Sequence, residues 1–134
     1  MSQALETHPR PTVLVVDDEE DLRDIMRRML ERRGFATLIA GDSRQAIAAC
    51  RDHPGDIDIL VTDLGLPGVS GGELSREATG LRPDMRVIYI SGLPKEIAVA
   101  DGLIDEDALL VKKPFSSQLL VSTLNSVLEE RPGA

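Results

Sequence analysis

Thr12-Val13-Leu14-Val15-Val16-Asp17-Asp18-Glu19-Glu20 is the stretch on which the reading of this chain turns. The first five residues are continuously apolar or β-branched rather than alternating. That is the pattern of a strand buried on both faces of a parallel sheet. The run stops at acids, and carboxylates are favoured at a helix start by the positive end of the helix dipole. Leu22, Ile25, Met26, Met29 and Leu30 then recur at i, i+3, i+4, i+7 and i+8, one apolar stripe of an amphipathic helix. Gly34 ends that helix.

The same unit repeats outward from this start. Residues 35–40 read as a second strand. Asp42 or Ser43 caps a second helix whose inner face is Ala46, Ile47 and Cys50, closed by His53-Pro54-Gly55. Residues 57–62 form a third strand and 64–72 a Gly/Pro-rich loop, and a third helix with Leu74, Ala78 and Leu81 as its stripe stops at Pro83. Residues 86–91 are a fourth strand, 93–102 a weak helical segment and 108–112 a fifth strand. Ser116 caps a last helix lined by Leu120, Leu124, Val127 and Leu128. Five strands alternating with five helices predict an α/β domain, with a parallel sheet covered on both sides and right-handed crossovers.

Composition bounds what such a domain can do. The 134 residues fit one domain, so any separate output module is expected to lie on another protein. Phe35, Tyr89 and Phe115 are the only aromatics, which disfavours base-stacking platforms. Fifteen basic against 23 acidic residues give a net charge of −8, which repels nucleic acid and anionic membrane. The lone Cys50, on an apolar stripe, is expected to be an inert core residue and needs no oxidising compartment. No apolar run approaches the roughly 18 to 20 residues of a membrane span, and no apolar leader opens the chain, so the cytoplasm is the expected location. Residues 1–10 and 131–134 are expected to be flexible tails. His8 falls in the first of these and His53 in a loop, and neither is placed for phosphotransfer or metal binding.

In sheets of this kind the functional crevice lies beyond the carboxyl ends of the strands. The first strand ends at Asp17 and Asp18, the third at Asp63, the fourth at Ser91, and the fifth runs into Lys112-Lys113-Pro114. Three carboxylates converging on one edge repel one another unless a cation sits among them. Magnesium suits this set, because it takes oxygen ligands and shares one or two carboxylates with a phosphate oxygen. Nothing resembles a calcium loop, and no Cys/His spacing supports zinc. A carboxylate flanked by a metal, an ammonium and a hydroxyl can act as a nucleophile toward a phosphoryl group. Asp63, leaving an inner strand into Leu64-Gly65-Leu66-Pro67-Gly68, has the most central position, and Gly65 can offer its carbonyl to the metal.

Val16-Asp17-Asp18-Glu19, Thr62-Asp63-Leu64-Gly65-Leu66-Pro67 with Gly71, Ile90-Ser91-Gly92, and Val111-Lys112-Lys113-Pro114-Phe115 together resemble a response-regulator receiver domain over residues 11–130. The wording around Asp63 and Ser91 also resembles the receivers of hybrid sensor kinases. The resemblance implies a flavodoxin-like three-layer α/β/α sandwich with strand order 2-1-3-4-5. It makes Asp63 the phosphoacceptor and assigns Mg2+ to Asp18, Asp63 and the Gly65 carbonyl, with Asp17 mostly through water. Ser91 would bind one phosphoryl oxygen and Lys113 another. Lys113 is chosen over Lys112, which is left on the surface, because receivers place the lysine immediately before a proline, with a cis bond between them.

That likeness implies a signalling switch that takes its phosphoryl group from a sensor histidine kinase or a phosphotransfer protein. The switch then alters a face made by the fourth helix, fifth strand and fifth helix, where receivers meet partners or form homodimers; the downstream target is not specified. Two departures stand out. Leu110 occupies the place where receivers commonly carry Tyr or Phe, and Gly65 and Leu93 cannot orient a hydrolytic water, which predicts slow, unassisted self-dephosphorylation rather than enzymatic turnover. An aspartate-nucleophile phosphatase would need a second carboxylate two residues after Asp63, where Gly65 stands. A phosphorylation-independent adaptor is the remaining alternative, disfavoured by the intact acids and Lys113.

Overall fold

The computed structural model describes residues 10–129; positions 1–9 and 130–134, which hold most of the two expected tails and His8, lie outside the described residues. The elements follow in strict alternation: β1 (Thr12–Val16), α1 (Glu20–Arg32), β2 (Ala36–Ala40), α2 (Ser43–Asp52), β3 (Ile59–Asp63), α3 (Gly71–Leu81), β4 (Arg86–Ser91), α4 (Lys95–Ala100), β5 (Leu109–Lys112) and α5 (Ser117–Glu129). All strand pairs are parallel, and the sheet order is β2-β1-β3-β4-β5. This is the flavodoxin-like order that the sequence resemblance implies.

Val13 to Val16 have no exposed surface, as a strand packed on both sides requires. One layer sets Met26 and Leu30 of α1 and Leu120, Leu124 and Val127 of α5 against Val13, Val15, Ile59, Val61, Ile88 and Ile90. The opposite layer sets Ala46 and Cys50 of α2 and Leu74 and Ala78 of α3 against Leu14, Val16 and Leu60. A smaller cluster of Leu64, Tyr89, Ala98 and Ile104 seats α4. Cys50 is buried, and burial raises its thiol pKa, in keeping with an inert core residue.

The structure departs from the sequence reading at several helix boundaries and stripes. α3 begins at Gly71, inside the segment read as loop. Ser70 and Glu73 form a reciprocal capping box there, each side chain serving the other's backbone N–H. β3 starts two residues late, at Ile59, and just before it the Asp58 carboxylate accepts the Thr12 N–H at 2.8 Å. Ile25 is 54% exposed although it lies on the apolar stripe of α1, and Leu81, the last residue of α3, is 47% exposed. The core takes up Met26 and Leu30 of the first stripe and Leu74 and Ala78 of the third.

Two long-range contacts fix the layers. Just past α3, the Arg82 guanidinium donates to the carbonyls of Cys50 at 2.8 Å, His53 at 2.6 Å and Gly55 at 2.6 Å, satisfying groups that the end of α2 would otherwise leave open. At the other end of α3, a β-carbon on Gly71 would stand 2.5 Å from the Asp63 carbonyl oxygen and 2.9 Å from Leu64 Cα. Only glycine lets the helix start approach the end of β3 this closely.

Arg82→Ala is therefore expected to lower the unfolding free energy by about 1.5–3 kcal/mol, the range for hydrogen bonds made by charged groups. Arg51→Ala, which removes an exposed pair with Asp52, is expected to change it by less than about 0.5 kcal/mol. Urea denaturation of both variants checks the contrast. Gly71→Ala is expected to cost about 1–3 kcal/mol by overpacking, read in the same assay.

Candidate functional site

Because the strands are parallel, their carboxyl ends deliver side chains to one edge. Asp17 follows β1 and is completely buried. Its backbone N–H donates to the Ala40 carbonyl at 3.2 Å, and its Oδ1 accepts the Glu19 N–H at 2.9 Å. A second clamp comes from α1, where Arg23 donates to the Asp17 carbonyl at 2.8 Å. Arg23 passes close to Gly41, where a β-carbon would lie 3.0 Å from its Nη1. Sequence reading missed Arg23, since nothing in the local pattern distinguishes it from the other arginines of α1.

Asp63 closes β3. Its Oδ1 accepts the Gly65 N–H at 3.1 Å, and its Oδ2 accepts from Lys113 Nζ at 3.2 Å. The same ammonium lies 3.6 Å from Asp17 Oδ2, which is buried and has no hydrogen-bond partner. Asp18 is exposed at the rim, and one oxygen from each of Asp17, Asp18 and Asp63 lies within 4.8 Å of the others. The expected acids and Lys113 are thus brought together, whereas Lys112 is exposed. The Lys113–Pro114 peptide is cis, as the resemblance implied.

Charge accounts for the electrostatics of this group. Burial raises the Asp17 pKa above the ordinary carboxylate value; the Glu19 N–H and Lys113 oppose the rise, and Asp63 and Asp18 add to it. Burial of Lys113 favours the neutral amine, but Asp63 and Asp17 outweigh it and hold the pKa above the usual lysine value. Three acids face one ammonium, leaving an excess of two negative charges at an edge where one buried oxygen accepts no hydrogen bond. A hard divalent cation with oxygen ligands fits that donor set.

Ser91 ends β4 with its side chain buried. Its Oγ accepts the Leu93 N–H at 3.0 Å, and its carbonyl accepts the Lys113 N–H at 2.8 Å, tying the ends of β4 and β5 together. The structure brings Ser91 to the same edge, with its hydroxyl turned to its own loop. Beside the acids, Leu22, Ile25, Met29, Lys113, Pro114 and Phe115 line an apolar groove. The exposure of Ile25 follows from this groove, since one edge of the α1 stripe faces it rather than the sheet.

The family model for the response regulator receiver domain matches residues 13–125. Among curated proteins, the sensor kinase CckA of Brucella abortus is 31% identical over 120 residues, covering 90% of this chain and 13% of the kinase. The response regulator receiver protein CpdR of the same organism is 28% identical over 116 residues, covering 87% of this chain and 95% of that protein. The chain thus spans about an eighth of the kinase it resembles and nearly all of the receiver protein. A response regulator receiver protein from Sinorhizobium medicae superposes with a TM-score of 0.79 at 28% identity, over 91% of this chain and 97% of that one. A receiver domain protein from Clostridium thermocellum gives 0.78 at 27% identity, over 89% and 94%. With its sheet order, its edge of acids and lysine, and these relatives, the chain belongs to the response regulator receiver domain family.

Proposed function

We propose that this receiver domain is a phosphoacceptor switch of a two-component phosphorelay, with Asp63 as the residue that takes the phosphoryl group. The observation that carries this reading is the setting of the Asp63 carboxylate. It is held between the Gly65 N–H and the Lys113 ammonium, beside a buried Asp17 oxygen with no hydrogen-bond partner. In the transfer, an Asp63 oxygen forms a bond to phosphorus as the phosphorus–nitrogen bond of a phosphohistidine breaks, and the imidazole takes up a proton. Lys113 neutralises charge spread over the phosphoryl oxygens, and the Ser91 hydroxyl, whose oxygen accepts the Leu93 N–H, has its hydrogen to donate to another. Asp17, Asp18 and Asp63, with the Gly65 carbonyl, would hold Mg2+, which neutralises further charge when bound.

The donor is a sensor histidine kinase or a phosphotransfer protein, a reading supported by the likeness to a sensor kinase and a receiver protein. The apolar groove of Leu22, Ile25, Met29 and Phe115 next to Lys113 is suited to hold the donor while its histidine reaches Asp63. The domain acts in the cytoplasm, and its output face of α4, β5 and α5 meets a downstream protein or a second copy. It is not an enzyme: Gly65 and the exposed Leu93 offer no side chain to orient water against an acyl phosphate, so the phosphoryl group leaves slowly.

Incubation with a small-molecule phosphodonor and Mg2+ is expected to add one phosphoryl group by intact mass, abolished in Asp63→Asn. Repeated release of phosphate without a stable adduct would favour an enzyme, and no reaction would favour a constitutive adaptor. Loss of the label is expected to take minutes or longer; a lifetime of seconds would contradict unassisted hydrolysis.

Mg2+ is expected to raise the melting temperature of the protein, and Asp17→Asn to reduce that response. Without metal the sign reverses. Because the folded pKa of Asp17 is raised, its favourable contribution to folding is full below the unfolded value and is lost as pH rises through the folded value. The ionised carboxylate is a cost at neutral pH, so metal-free Asp17→Asn is expected to melt higher than wild type at pH 7 and by a smaller margin near pH 4.

A further inference from the structure

Tyr89, the only tyrosine of the chain, is buried in β4, two residues before Ser91 and on the same face of the sheet. Its hydroxyl lies 2.6 Å from Ser75 Oγ, inside α3. The Ser75 hydroxyl has a single hydrogen, which it donates to the Gly72 carbonyl at 2.9 Å, so Tyr89 is the donor to Ser75. Leu110, the in-register neighbour of Tyr89 on β5, offers no polar group to this position.

The helix start that receives this bond is hemmed in on two sides. A β-carbon on Gly71 would meet the Asp63 carbonyl at 2.5 Å, and one on Gly72 would meet the Leu103 carbonyl, in the loop between α4 and β5, at 2.6 Å. The first turns of α3 are therefore in close contact with the backbone of Asp63, with the loop after α4 and, through Ser75, with β4. The Ser91 hydroxyl is meanwhile engaged by the Leu93 N–H.

We infer that the Tyr89–Ser75 hydrogen bond is a latch that holds β4 and α3 in the resting arrangement, and that it yields when Ser91 turns toward a phosphoryl group on Asp63. Tyr89 is a positioning residue in this account, acting through Ser91. The inference rests on the phosphoacceptor reading above. When the end of β4 shifts toward Asp63, Tyr89 shifts with it, and α3 cannot follow because Gly71 already abuts the Asp63 backbone. A contact made only in the resting state opposes the change by its own free energy, and removing it favours the phosphorylated arrangement.

The test is the affinity of the Mg2+-loaded protein for beryllofluoride, a phosphoryl mimic, measured by calorimetry in wild type, Tyr89→Phe, Ser75→Ala and the double variant. Tyr89→Phe keeps the ring and leaves the Ser75 donor on Gly72. It is expected to tighten binding about three- to tenfold, the scale of one net hydrogen bond. Ser75→Ala is expected to do the same, and the double variant to tighten no further than either alone. In wild type, where Tyr89 is the sole tyrosine and no tryptophan is present, its fluorescence is expected to change on binding. Unchanged or weaker binding in both single variants, with wild type binding normally, would overturn the latch alone. Failure of wild type to bind beryllofluoride would overturn the phosphoacceptor reading and the latch with it.

Discussion

One ammonium is shared between two carboxylates that arrive on different strands, and the rest of the site is arranged around that sharing. Lys113 Nζ lies 3.2 Å from Asp63 and 3.6 Å from Asp17. Asp17 is buried with one oxygen that accepts no hydrogen bond, an arrangement that costs free energy unless nearby charge offsets it. Lys113 offsets part of that cost, and the remaining excess of negative charge is what a divalent cation or an incoming phosphoryl group with its metal would rebalance.

The backbone makes this geometry possible. A parallel sheet sends every strand end to the same edge, and the chain then has to turn away without covering it. At Asp63 the turn succeeds because α3 starts on Gly71 and Gly72, which let backbone approach backbone where a side chain would collide. At Asp17 the strand end is held from two directions, by Ala40 across the sheet and by Arg23 from α1. The packed layers below, Met26, Leu30 and Leu120 on one side and Leu74 and Ala78 on the other, keep these strand ends in fixed register.

Much of this is legible in the sequence because it depends on local patterns. Continuous β-branched runs mark doubly covered strands, and polar residues placed directly after such runs mark the functional edge, which is how Asp17, Asp63, Ser91 and Lys113 stand out. What escapes is whatever depends on contacts across the fold. Arg82 looks like a residue beyond a helix end until its guanidinium is seen on three carbonyls of another segment. The exposure of Ile25 depends on where α5 and Phe115 fall, not on the helical period of α1. The Ser70–Glu73 box was readable as Ser-x-x-Glu but was hidden by two glycines that suggest a loop. The pairing of Tyr89 with Ser75 joins residues that no spacing rule connects.

The most direct test of the shared ammonium is the titration of the Lys113 side-chain amine, followed by NMR in wild type and in Asp63→Asn without metal. The account predicts that the wild-type amine holds its proton to a pH above the usual lysine value, and that the midpoint falls in Asp63→Asn. An ordinary lysine midpoint that is indifferent to the substitution would contradict it.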